Sequence, residues 1–205
     1  MPRPIKPVAT PPRAPVKLHH APQQVRIIGG LWKRTPLPVT AIDGLRPTPD
    51  RVRETLFNWL GQELDGLRCL DLFAGTGALG FEAASRGAAR VVLVERHPRA
   101  VKQLRAIKDK LEASAIEIAE ADAIRFAANL APGSFDVVFL DPPFDSTLFG
   151  DALKLAFPLV APGGVLYAET STPIEAAGEL PTGWSVDRQG RAGLVHYHLL
   201  RREIG

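Results

Sequence analysis

Apolar and polar positions alternate in blocks that change period along the chain, and from residue 68 onward the blocks repeat as strand then helix. Residues 69–73 predict a strand and 77 to about 86 a helix. Residues 90–95 follow as a second strand, with a long helix from about 98 to 111. A short third strand at 116–118 leads to a helix from 123 to 130 that has Asp122 at its start. Residues 136–140 form the fourth strand, a continuous apolar run of the kind buried on both faces of a parallel sheet. A helix from about 148 to 157 then leads through Pro162, Gly163 and Gly164 into a fifth strand at 165–168. The end differs: residues 184–186, a turn at 190–193 and residues 194–200 read as an antiparallel hairpin. Helix crossovers followed by a hairpin predict an α/β fold built on a mixed seven-stranded sheet.

Upstream, two short extended segments are expected within 25–39, with a bend near Gly29 and Gly30 or near Lys33 and Arg34. A helix follows, with Thr48 as N-cap, Pro49 at its first position and Asp50 in its first turn. Val52, Leu56, Phe57, Trp59 and Leu60 fall on one apolar arc of that helix, and Arg53 falls inside the arc. An arginine there either snorkels to the edge or faces a site that wants a cation, and the nearby Arg46 and Arg51 favour the site.

The fourth strand stops on Asp141, Pro142, Pro143 and Phe144. Neither proline donates to a ladder, and Pro142 forces Asp141 into an extended conformation. The carboxyl ends of strands are where open α/β sheets bind ligands. A carboxylate, proline carbonyls and a ring at such an end suit a planar group with an N–H to be held.

Composition sharpens this picture in two places. The net charge of +3 conceals ten Lys and Arg against two acids in residues 1–53, and an acidic remainder. That basic arm fits a polyanion, or else is a solvated tail. Within it, residues 1–24 are proline-rich, without apolar periodicity, and read as disordered; so many prolines also prevent the amphipathic helix of a mitochondrial presequence. Arg26, Lys33 and Arg34 interleave with Trp32, which suits either a phosphate backbone with a stacked base or an aromatic anchor for the hairpin. The single cysteine, Cys69, excludes an intrachain disulfide and a cysteine-cluster metal site, and reads as a core thiol. His196 and His198 share a strand face without acids nearby and read as structural, so no metal is expected. With neither a membrane-length apolar run nor a signal peptide, a cytoplasmic protein is expected.

The loop after the first strand carries a G-x-G-x-x-G at Gly75, Gly77 and Gly80, with Glu95 about twenty residues on. A nucleotide-dependent oxidoreductase therefore has to be considered. Asp71 at the mouth of that loop argues against it, because a carboxylate repels a pyrophosphate and attracts an ammonium or sulfonium. S-adenosylmethionine carries both cations and no phosphate. In that reading Glu95 accepts from the ribose hydroxyls and Asp122 reaches the adenine amine. Each acid also has a plainer reading: Asp71 caps the turn, Asp122 caps its helix, and Glu95 pairs with Arg96 or Arg99.

The three-acid layout resembles class I S-adenosylmethionine-dependent methyltransferases. Residues 26–30, 44–48, 50–58, 70–80 and 141–144 together resemble the RsmD family, bacterial 16S rRNA guanine-N2 methyltransferases, over roughly residues 25 to 202. The resemblance implies a Rossmann-like three-layer sandwich with a small N-terminal hairpin and helix. It divides the chain into a tail at 1–24, an RNA-binding extension at 25–62 and a methyltransferase domain at 63–205. The cofactor would be held by Asp71, Phe73, Gly75, Thr76, Gly77, Glu95, Arg96, Asp122 and Ala123. The Asp141 side chain and Pro142 carbonyl would accept the two amine hydrogens, with Pro143 keeping the turn rigid and Phe144 stacking on the base. Arg26, Trp32, Lys33, Arg34, Arg46, Arg51 and Arg53 would hold the RNA. The implied partner is 16S rRNA, within the small ribosomal subunit, and the implied state is a monomer. The rivals are an amino-methyltransferase acting on adenine or cytosine in DNA, the oxidoreductase, and a catalytically silent RNA-binding module.

Overall fold

The protein is described from a computed structural model that covers residues 24–39, 42, 48–143, 148–174 and 180–204. Arg46 and Phe144, and all but the last residue of the expected tail, lie outside the described residues.

A small antiparallel pair, β1 (Gln24–Arg26) and β2 (Pro36–Pro38), precedes α1 (Asp50–Leu60). The main sheet then forms from β3 (Arg68–Asp71), β4 (Arg90–Glu95), β5 (Ile116–Glu120), β6 (Phe135–Leu140), β7 (Val160–Thr170), β8 (Trp184–Ala192) and β9 (Val195–Arg202). Its helices are α2 (Ala78–Ser85), α3 (Pro98–Leu111), α4 (Ala123–Ala127) and α5 (Leu148–Leu159). The strand order is β5-β4-β3-β6-β7-β9-β8, parallel through β7 and antiparallel at β9 and β8. Strand order reverses between β3 and β6, so the carboxyl ends of these two strands flank the switch-point crevice.

Alternation along each strand divides the core between the two faces of the sheet. Cys69, Val137, Phe139 and Tyr167 pack on one face with Leu56 and Phe57 of α1, Phe81 of α2 and Leu104 of α3. Leu70, Val138, Leu140 and Leu166 pack on the other with Leu153 and Phe157 of α5. Val25 and Leu37 of the β1–β2 pair, and Ile27 just beyond β1, belong to the first of these clusters. Cys69 is fully buried, and burial pushes its thiol up to about 12.

Three expectations shift. The fifth strand begins at Val160 rather than after the glycines: β7 runs through Pro162, Gly163 and Gly164, and its register against β6 slips between Phe135 and Val137. The final turn falls at Gly193 and Leu194, after a longer β8, because Gly190 pairs with Tyr197 and a side chain at 190 would strike that ring. Thr48 is not the cap of α1; Pro49 holds that position without a side-chain bond. The Thr48 hydroxyl is instead directed at Asp141.

A buried carboxylate is central to the link between the hairpin and α2, beside bonds from the hairpin to Ser85. Glu82 of α2, wholly buried, accepts the backbone N–H groups of Ile28 at 2.7 Å and Gly29 at 2.8 Å. Arg86 donates to it at 2.8 Å, and Arg53 of α1 stands 3.5 Å away. Gly30, at φ +72°, lets the chain lie directly on the end of α2: a Cβ there would sit 1.8 Å from the Ser85 carbonyl oxygen. Gly30 is thus required by a close backbone approach, whereas a Cβ at Gly29 would meet the Arg86 guanidinium at 2.4 Å.

No described helix is long and apolar enough to cross a membrane.

Candidate active site

Asp71 ends β3, Glu95 ends β4, and Asp122 opens α4 just beyond β5. The sheet brings all three to one edge, where they line a single cleft of about 990 Å³ measured out to its open mouth. Phe73, Gly75, Thr76, Arg96 and Ala123 line it too, and Asp141, Pro142 and Pro143 form its far wall. Gly77, also expected at the cofactor, does not line the cleft. It sits at φ +77°, and a Cβ there would come within 2.6 Å of Leu104 and 2.7 Å of Phe81, so this glycine serves helix packing.

The acids make the plain contacts that their positions allow, and those contacts decide what the cleft accepts. Asp71 takes backbone N–H groups of Phe73 and Gly80, the latter in the first turn of α2. Glu95 takes the N–H of Gly75 at 3.0 Å and of His97 at 2.7 Å, rather than pairing with Arg96 or Arg99. Asp122 caps α4 through the N–H of Arg125 at 3.1 Å. In a dinucleotide site the N–H groups of the glycine turn and of the helix start hold the pyrophosphate. Here carboxylates already take one from each, and further anionic charge beside them is unfavourable. The same acids favour a cation. Burial raises Asp71 from 3.8 to about 7, the two N–H groups oppose that rise, and the charge of Glu95 adds to it.

At the far wall, Asp141 has a neighbour that sequence reading did not single out. Phe139 pairs with Tyr167 and Leu140 with Ala168, so the register carries on to Asp141 beside Glu169 of β7. Glu169 is 4% exposed and accepts the Tyr167 hydroxyl at 2.7 Å. Thr48 donates its hydroxyl to Asp141 at 3.3 Å and also lies within hydrogen-bonding reach of Glu169. Burial, then the charges of Glu169 and Asp71, push Asp141 well above the usual carboxylate range. Glu169 is raised as well, by burial.

The basic candidates divide. Arg51 is exposed on the first turn of α1, close to the cleft, and exposed Arg26 pairs with Asp50 at 3.2 Å. Lys33 and Arg34 are exposed near the C-terminal end of α2. Trp32 packs partly against the buried cluster, as an anchor does. Arg53 is the correction: it is fully buried, paired with Asp50 at 2.6 Å and facing Glu82, and has no surface to offer a phosphate. Its place inside the apolar arc reflects a structural cation.

A family model described as Conserved hypothetical protein 95 matches residues 25–201. Ribosomal RNA small subunit methyltransferase D of Escherichia coli is 40% identical over 190 residues, 90% of this chain and 93% of the relative. The chain belongs to the RsmD family. An RsmD relative of the same name in Haemophilus influenzae is 38% identical over 90% of this chain and 97% of its own length. The solved structure of yhhF from Escherichia coli, 40% identical, superposes with a TM-score of 0.77 over 89% of this chain and 99% of the other. The fold is that of class I S-adenosylmethionine-dependent methyltransferases, with the antiparallel hairpin at the end of the sheet.

Within this RsmD chain the residues missed in the sequence are Thr48 and apolar lining such as Leu72, Leu79, Ile124 and Leu148, and Glu169, buried beside Asp141. The apolar ones carry no chemical signature. Glu169 had one: a carboxylate two residues beyond a tyrosine, at the end of an otherwise apolar strand.

Proposed function

We propose that this chain transfers a methyl group from S-adenosylmethionine to the exocyclic N2 amine of a guanine in 16S rRNA, acting in the cytoplasm as a monomer on the small ribosomal subunit. The observation that carries the cofactor half is the filling of the glycine-loop and helix-start N–H groups by Glu95 and Asp71 in a cleft lined by three acids. The acceptor half rests on Asp141, Pro142 and Pro143 at the switch point and on the names of the relatives.

S-adenosylmethionine, when bound, supplies an electrophilic methyl group on a positively charged sulfur. Among the residues that line the cleft, Asp71 would hold its cationic end, Glu95 and Arg96 its ribose, and Asp122 with Ala123 its base, while Phe73, Gly75 and Thr76 would complete the lining. At the acceptor, the amine lone pair is delocalised into the guanine ring, so the protein's task is orientation. Asp141 and the Pro142 carbonyl accept the two amine hydrogens and draw the nitrogen toward tetrahedral geometry. The stiff turn at Pro142 and Pro143 fixes both acceptors, and Phe144 stacks on the base. The guanine enters flipped out or from a single-stranded region. Residues 25–62 act as the RNA-binding extension of the domain at 63–205, with Arg26, Arg51, Lys33 and Arg34 on phosphates.

The test is transfer of labelled methyl groups to unmodified small subunits, naked 16S rRNA and duplex DNA in parallel, with Asp141→Ala as control. Label recovered as N2-methylguanosine supports the reading. Label confined to DNA, or full transfer by the control, overturns it.

A further inference from the structure

Asp71 ends β3, Asp141 directly follows β6 and Glu169 lies on β7, three neighbouring strands, and the register puts all three toward one face of the sheet. Asp71 pairs with Phe139, and Phe139 pairs with Tyr167; Asp141 and Glu169 each follow two residues later, on the face shared by Phe139 and Tyr167. Glu169 does not line the cleft and has almost no contact with solvent. Asp71 and Asp141 have duties at the cofactor and the acceptor amine. Glu169 has none, yet a second carboxylate is kept beside the first in a buried place, where two like charges are costly.

The contacts around it form a closed set. The Tyr167 hydroxyl donates to Glu169 Oε1 at 2.7 Å. Thr48, immediately ahead of α1, reaches both carboxylates with one hydroxyl. Arg53 holds the Thr48 carbonyl through Nε at 3.2 Å, which fixes that hydroxyl from behind. On β9, Glu169 is paired across the strands with Tyr197. The titratable groups facing the pair are therefore Asp71, Tyr167 and Tyr197, and the buried cation behind Thr48, Arg53, is engaged by Asp50 and Glu82.

We propose that Glu169 is a positioning residue for methyl transfer: with Thr48 between them, Asp141 and Glu169 act as one carboxylate pair that takes up the proton released at the acceptor nitrogen. This rests on the function proposed above. When the nitrogen lone pair has formed the N–C bond and sulfur has kept the electrons of the broken C–S bond, the nitrogen holds one proton too many. That proton passes to Asp141, and the N–H bonding pair returns to nitrogen. Thr48 accepts the proton from Asp141 and turns its own hydrogen to Glu169. With both carboxylates ionised beforehand, above the raised range in which burial makes the pair titrate, the pair then carries one shared proton and one negative charge, so Asp141 is again an acceptor while the product is still bound. A lone buried aspartic acid would instead stay neutral until the cleft opened to water.

The experiment compares wild type, Glu169→Gln, Thr48→Ser and Thr48→Val in two arms. In the first, carbon-detected NMR follows the titration of the Asp141 carboxyl in the protein without ligand, assigned by its loss in Asp141→Asn. Glu169→Gln removes a neighbouring charge and should move that titration down by about one pH unit or more. In the second, single-turnover methyl transfer is measured against pH. Glu169→Gln should lower the plateau roughly tenfold or more, shift the acidic limb to lower pH and leave the KM for S-adenosylmethionine within about twofold. Thr48→Val should follow Glu169→Gln, and Thr48→Ser, which keeps the hydroxyl, should recover most of what Thr48→Val loses. An unmoved Asp141 titration overturns the pairing, and a moved titration with an unchanged plateau and limb overturns the proton role. A wild-type protein that methylates no rRNA counts against the proposed function, and the NMR arm still decides the pairing.

Discussion

Arg53 donates its Nε hydrogen to the carbonyl of Thr48 at 3.2 Å, so a wholly buried guanidinium holds the backbone from which a hydroxyl reaches Asp141. Its position two residues from exposed Arg51 makes the two arginines a natural pair of experiments. Arg51→Ala should leave the melting temperature unchanged and weaken RNA binding, lowering the slope of log affinity against log salt by about one. Arg53→Ala leaves Glu82 and Asp50 short of a partner inside or beside the core and should cost about 3–5 kcal/mol in denaturant unfolding. An Arg53→Ala protein of normal stability with a reduced salt slope would show that the assignments are reversed.

Glu82 is the second point where a single group carries a large load. It satisfies two backbone N–H groups of the hairpin and faces two arginines, one of which, Arg86, also stacks over Phe57 at 4.8 Å. Replacing it by Gln removes the charge and half the acceptor capacity, leaving buried donors unmatched. A loss of about 3–5 kcal/mol is expected, with hydrogen exchange accelerated first at Ile28 and Gly29. Gly30→Ala should loosen the same hairpin by a different route, through the 1.8 Å clash with Ser85 and the left-handed backbone, with exchange accelerating at the Leu31 N–H that donates to Ser85 at 2.7 Å. Exchange at these amides no faster than in wild type would contradict the docking.

The parallel part of the sheet was legible because each strand is an apolar run of the right length between helix-period blocks, and the three acids mark the ends of consecutive strands in sequence. The pairing of Asp141 with Glu169 was not, since it depends on β7 lying next to β6 in a particular register, and the chain shows only that a strand exists. The bulge near the start of β7 was hidden for a related reason: Pro162, Gly163 and Gly164 signal a turn, and only the pairing of Val160 with Phe135 shows that the strand has already begun before them. Arg53 shows the limit of periodicity. Its place on the apolar arc was plain, but whether such a cation faces a ligand or a buried acid depends on Glu82, which lies on a different helix.

Asp71 gives the last prediction, because its carboxyl responds to pH within the working range. Burial raises it from 3.8 to about 7, so between these values the folded protein keeps a proton that the unfolded chain has already released. Stability of the protein without ligand should therefore fall as pH rises from about 4 to 7, and level off above that. Asp71→Asn, which cannot ionise, should flatten this part of the curve and melt higher than wild type at pH 8. Binding of S-adenosylmethionine should run the other way. A cationic ligand selects the ionised carboxylate, so affinity should climb by up to about tenfold per pH unit toward pH 7 and then level, with a proton released on binding. Calorimetry in buffers of different ionisation enthalpy measures both quantities. In Asp71→Asn the affinity should be roughly 10- to 100-fold weaker at pH 8, the loss expected for a charged contact, and nearly independent of pH. An affinity in wild type that is flat from pH 5 to 8 would mean that Asp71 is already ionised in the unliganded cleft, and that burial there is offset by more than the two N–H groups of Phe73 and Gly80.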